Sequence, residues 1–139
     1  MNYIEINGGN KYQKKVAYNV IDMMIKALMP RMRTLEITVN IRKFTDDAIG
    51  YCMMEDTNRE FEIEVSKDLS LKDFVTALCH EMVHAKQYAR NEMSGDVTDR
   101  HWKKSTVADS VSYWDLPWEK EAYRMEDKLA QLVWESNIL

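Results

Sequence analysis

The chain has 139 residues, 45% of them hydrophobic and 30% charged, with only 4 glycines and 2 prolines. That size and composition fit one folded domain around one core and leave little room for linkers or low-complexity segments. A net charge of −4, with basic residues scattered along the chain, excludes the electrostatic footprint of backbone-led nucleic-acid binding, so no direct nucleic-acid partner is expected.

Residues 1–9 lack the basic and apolar runs of a secretion signal. No later window reaches the roughly 18 consecutive apolar residues of a spanning helix, so the expectation is a soluble, cytoplasmic protein without a membrane partner. Residues 10–29 place Tyr12, Val16, Val20, Met23, Met24 and Ala27 at the spacing of an amphipathic helix, which Pro30 ends. From Leu35 the period becomes two: Leu35, Ile37, Val39 and Ile41 alternate with Glu36, Thr38, Asn40 and Arg42, the pattern of a half-buried strand. After a turn at TDDAIG, residues 51–55 and 59–65 read as two more strands. The second turns Phe61, Ile63 and Val65 inward and Glu60, Glu62 and Glu64 outward, as the charged, solvated face of an edge strand.

Ser70 with Asp73 opens a helix running to about residue 91. Residues 92–114 hold turn formers and β-tolerant side chains and read as a loop or irregular hairpin. Asp115 as a cap and Pro117 in the first turn begin a last helix through about residue 134. Helix, three strands, helix, hairpin, helix is an α+β order, with the helices on one side of a small sheet. Cys52 and Cys79 read as reduced, buried thiols, and the 10 methionines as core filler. Trp118 falls on the core stripe of the last helix, and Trp102 and Trp114 are expected to stiffen the hairpin.

The chemistry concentrates in ALCHEMVHAKQY, residues 77–88, which holds two of the chain's 3 histidines. At 100° per residue Leu71, Phe74, Val75, Leu78, Met82, Ala85 and Ala89 form a buried stripe, and His80 and His84 lie on nearly the opposite face. Side chains at i and i+4 stack one turn apart, so two imidazoles can reach one tetrahedral metal; the alternative is a solvated face. Glu81, rotated about 100° from His80, can stand beside the metal without ligating it, where a base for an activated water belongs.

A catalytic zinc needs a third protein ligand and keeps one position open. The continuation HxxGxxH is excluded because Gln87 and Arg90 stand where Gly and His would be required. His101 lies 17 residues after His84. A third source is YWDLPWEKEAY, residues 113–123, at the start of the last helix. There Glu119 and Glu121 straddle the core stripe of Trp118, Ala122, Met125, Leu129 and Leu132 at similar angles, which periodicity cannot separate.

CHEMVHAKQY, the pair Trp102–Lys103 and YWDLPWEKEAY together resemble the small HExxH metallopeptidase-like proteins of phages and mobile elements, described as SprT-like or as minimal gluzincins. The resemblance spans residues 60 to about 130. It implies a single zincin-like domain over residues 1–139 with Zn2+ as cofactor, acting as an endopeptidase on a peptide or protein substrate, in the host cytoplasm for a phage-encoded chain. It implies Glu119 as third ligand, three residues before Ala122, with Tyr123 where larger relatives carry a supporting acid. In such an enzyme zinc acidifies its water towards a pKa of about 7, and Glu81 takes the proton and returns it to the leaving amine. Tyr88, Tyr113, Tyr123 and His101 are possible donors to the oxyanion. A peptide would add as an antiparallel strand along the edge at 59–65. A catalytically silent zinc module that binds a host or phage partner is the competing expectation.

Overall fold

The computed structural model describes residues 1–96 and 99–139, with Asp96 described in its backbone alone. Val97 and Thr98, inside the segment expected as a loop or hairpin, lie outside the described residues. The architecture is a small mixed α+β fold: a four-stranded sheet, two helices packed against it, a third helix packed on those two, and a separate three-stranded meander.

The chain begins with a strand absent from the sequence-based expectation, β1 (Tyr3–Gly8), and then enters α1 (Lys11–Leu28). A reciprocal capping box holds that entry: Gln13 N donates to Asn10 Oδ1, and Asn10 N donates to Gln13 Oε1. The crossover returns the chain as β2 (Glu36–Arg42), parallel to β1. Strand β3 (Gly50–Met54) and strand β4 (Glu60–Ser66) complete the sheet in the order β1-β2-β4-β3, with β4 parallel to β2 and β3 antiparallel to β4.

The strand at 59–65 is therefore not an edge. β4 is paired on both sides, and the free edges belong to β1 and β3. Its glutamates are half-buried, with partners across the ladder: Asn40 donates to Glu62 at 2.6 Å, and Arg42 forms a two-pronged pair with Glu64 at 2.6 and 3.2 Å. The period-two pattern marks the strand, but one strand's alternation says nothing about its neighbours.

On the inner face Ile37, Val39, Ile41, Phe61, Ile63 and Val65 pack against Val16, Val20, Ile21 and Met24 of α1. They also meet the apolar stripe of α2 (Leu71–Ala89), capped at Ser70 by the amide of Asp73. Helix α2 ends at Arg90, after which Asn91 takes a left-handed conformation (φ 57°) that closes the last turn. Strands β5 (Met93–Asp96), β6 (Asp99–Trp102) and β7 (Ser105–Val107) form the meander in place of the expected loop or single hairpin. A 3-10 turn at Tyr113–Asp115 leads into α3 (Pro117–Glu135).

Asp115 does not cap α3. Leu116 occupies the cap position with Pro117 in the first turn, while the Asp115 carboxylate accepts a hydrogen bond from Ser112. Trp118 is buried as expected, but Trp114 is 69% exposed and belongs to the 3-10 turn, not the meander. Met53 and Met54 on β3 are exposed, so the methionines are not uniformly core filler, and Cys52 is half-buried where Cys79 is fully buried. Among the described residues no helix is long and apolar enough to cross a membrane.

The packing of α3 on α2 decides the site. Because α2 is flanked by the sheet, α1 and α3, it is buried nearly all round, and the alternative of a solvated histidine face does not hold: His80 is 8% and His84 7% exposed.

Candidate metal centre

Three side chains from two helices converge. His80 Nε2 and His84 Nε2, one turn apart on α2, each lie 3.1 Å from the same oxygen of Glu119, in the first turn of α3. The ligand atoms of His80, His84 and Glu119 all fall within 4.8 Å of one another. In a tetrahedral zinc site with bonds of about 2.0–2.1 Å, neighbouring ligand atoms lie about 3.4 Å apart. The two imidazole–carboxylate distances are within a few tenths of an ångström of that spacing, and a set of two imidazoles and one carboxylate leaves a fourth position free, so these residues could hold a divalent ion.

Of the other two candidate ligands, neither joins the group. Glu121 instead accepts hydrogen bonds from Lys86 Nζ at 2.8 Å and Gln87 Nε2 at 3.1 Å. His101 sits on β6 with Nε2 3.0 Å from Asp99.

Gln87, fully buried, sets the state of His84. Its amide nitrogen faces two acceptors, the Trp118 carbonyl at 2.9 Å and Glu121, which turns its oxygen towards His84 Nδ1 at 2.8 Å. An amide oxygen accepts only, so Nδ1 carries the proton and Nε2 points its remaining site at the cage. Glu126, two turns beyond Glu119, brings a carboxylate oxygen to 3.7 Å from His80 Nδ1. Neither supporting role was anticipated, although the three-residue step from His84 to Gln87 and the seven-residue step from Glu119 to Glu126 are helix-face spacings.

The electrostatics follow from burial and pairing. Desolvation works against charge on Glu119, but its hydrogen bonds to the two histidines more than offset it and hold its pKa at about 2. Burial opposes protonation of His80 too, and the carboxylates of Glu119 and Glu126 reverse that and raise it to about 9. His84 is raised by the same balance. Tyr113 donates to Glu119 at 3.3 Å and lies 3.0 Å from the hydroxyl of Tyr123, whose ring packs against His80.

Glu81 differs from all of these. It is 6% exposed, has no hydrogen bond or ion pair among the described residues, and lines a cavity of about 380 Å³ beside His80. Burial raises its pKa above the usual carboxylate range, with the flanking histidines pulling the other way. A buried, unpaired carboxylate at the mouth of a cavity is suited to exchanging a proton with a guest. On the far side of the cage a smaller recess of about 100 Å³ is lined by Cys52, His84, Tyr88 and Glu119. No protein-family model, no curated protein and no solved structure matches this chain, so the functional reading stands on its own residues and their geometry.

Proposed function

We propose that this protein is a zinc-dependent endopeptidase with a zincin-like fold, in which His80, His84 and Glu119 hold the metal and Glu81 is the general base. The observation that carries the reading is the meeting of both histidine Nε2 atoms at one Glu119 oxygen, 3.1 Å from each, with an unpaired buried Glu81 in the same turn of α2. A divalent zinc in that cage would supply Lewis acidity, polarising a carbonyl and bringing the pKa of water to about 7.

The chain's own part is proton handling and orientation. Glu81 accepts the proton of the attacking water as the new carbon–oxygen bond forms. It then delivers that proton to the amide nitrogen as the carbon–nitrogen bond breaks, so no outside acid is needed. The Tyr113 hydroxyl, already within reach of Glu119, is the donor best placed to steady the oxyanion. Gln87 keeps His84 in the tautomer that presents Nε2. The peptide would pair with the free edge of β3, whose first residue, Gly50, lines the same cavity as Glu81.

The test is metal analysis together with peptide cleavage. Purified wild type should bind one equivalent of zinc and cut an unfolded protein such as oxidised insulin B chain, and Glu81→Gln should keep the zinc and lose the cleavage. Cleavage undiminished in Glu81→Gln would remove the proposed base, and wild type that takes up no zinc would remove the whole reading.

A further inference from the structure

We infer that the cavity beside Glu81 receives a basic side chain, so that the protein cuts peptides next to a lysine or arginine; this rests on the peptidase reading above. Three carboxylates, Asp47, Glu81 and Glu126, line the cavity, and no Lys or Arg does so among the described residues. A divalent ion would be balanced in formal charge by Glu119 and Glu81. Asp47 then remains as a negative charge with no partner among the described residues, and Glu126 as one whose contact is the His80 ring, 3.7 Å away at Nδ1. Asp46, the neighbour of Asp47, is already engaged by the Tyr51 hydroxyl at 2.6 Å, whereas Asp47 has no partner among the described residues.

The remaining wall is aromatic and open to solvent. Trp114, 69% exposed, packs against Tyr113 with ring centroids 5.2 Å apart and against Tyr123 at 5.3 Å. These three rings hold the rim on the side of the cavity formed by the 3-10 turn and α3. Aromatic faces next to carboxylates suit an ammonium or guanidinium, which gains from both the ring quadrupole and the ion pair. An apolar side chain would desolvate the two acids without pairing them, and an acidic one would be repelled. The buried, unpaired Glu81 opens into the same space, so a side chain lodged there belongs to a residue close to the scissile bond.

The experiment uses the zinc-loaded full chain and a peptide library made by cutting a proteome after glutamate, which leaves lysine and arginine inside the peptides. Cleavage sites are read by mass spectrometry. Lysine and arginine should be enriched at least about fivefold over the library at one position within two residues of the cut, and salt at about 0.5 M should weaken the preference. Asp47→Asn should retain full zinc content and lose much of the enrichment, and Glu126→Gln should lose it as well. Cuts without that enrichment, or a preference unchanged in both variants, overturn the pocket assignment and leave the peptidase reading standing.

If wild type makes no cut at all, the peptidase reading fails and the pocket is judged by binding. Fluorescein-labelled octapeptides that differ at one central position are titrated into Glu81→Gln. Arginine should bind at least about tenfold more tightly than citrulline, leucine or glutamate. Equal affinity for arginine and citrulline overturns the assignment.

Discussion

Gly50 on β3 and Glu81 on α2 are in such close approach that a Cβ at position 50 would lie 3.0 Å from Glu81 Oε2 and 3.2 Å from its Cγ. The third close neighbour is the carbonyl of Glu64 at 3.2 Å, which belongs to the paired strand β4 and cannot retreat. A side chain here must therefore displace the carboxylate. Gly50→Ala should reduce kcat/KM about tenfold and Gly50→Val about a hundredfold, since sub-ångström to 1 Å errors in the position of a reacting group have effects of that order. Zinc content should be unchanged in both, because Glu81 is not in the cage. Steady-state kinetics beside metal analysis checks this, and full activity in Gly50→Val would show that the position of Glu81 is not critical.

Gln87 joins the cage to the α2–α3 packing, so its replacement should show in two measurements at once. Gln87→Leu leaves His84 Nδ1 without its partner in a buried place, a loss of about 1–3 kcal/mol of stability for a group so stranded. It also frees the imidazole to change tautomer, and outer-sphere partners of this kind are worth about 10–100-fold in metal affinity. Chelator competition and thermal unfolding of the metal-free protein read the two effects separately. Zinc affinity equal to wild type would mean that packing alone orients His84.

The parts legible in the sequence were those where one element's own period carries the information. The 3–4 spacing gave α1, α2 and α3, and alternation gave β2 and β4, because burial of one face is a property of a single segment. Strand β1 shows the same alternation in Ile4 and Ile6 against Tyr3, Glu5 and Asn7, ending at Gly8 and Gly9, but it is short, sits at a sheet edge and went unassigned. Which strands are neighbours, and hence that β3 and not β4 is free, depends on pairings between distant segments that no local period records. For the same reason the sequence placed His80 and His84 one turn apart, away from the core stripe, but left a solvated face as the alternative to a metal site, since the covering helix lies about forty residues further on.

Glu119 and Glu121 could not be separated by helix angle, and the two variants should now behave differently. Glu119→Ala removes one of three ligands and should lower zinc affinity by orders of magnitude while leaving the fold intact without metal. Glu121→Ala should bind zinc nearly as wild type but lose about 1–3 kcal/mol of stability, because Lys86 and Gln87 lose a buried acceptor and only Glu92, 2.7 Å from Lys86, remains to that lysine. Isothermal titration with zinc and denaturant unfolding of each variant decides it. The reverse pattern, with Glu121→Ala losing the metal, would reassign the third ligand.

The pH dependence of the metal-free protein follows from the same contacts. His80 is raised from 6.5 to about 9, so its share of stability is complete below about pH 6.5 and disappears as pH rises through 9. Glu119 is lowered from 4.5 to about 2, so its share is complete above about pH 4.5 and disappears as pH falls through 2. Glu81, raised by burial, has its share complete below about pH 4.5 and loses it as pH rises through its raised value. His80 and Glu119 place their joint contribution at its greatest between about pH 4.5 and 6.5. Zinc competes with the protons on His80 and His84, so the rise in Tm on adding zinc should be small at pH 6 and grow towards pH 8.5 as fewer protons must be displaced. Thermal scans with zinc and with chelator across that range measure the difference, and a zinc-induced shift that is the same at every pH would mean that the metal does not bind through these two imidazoles.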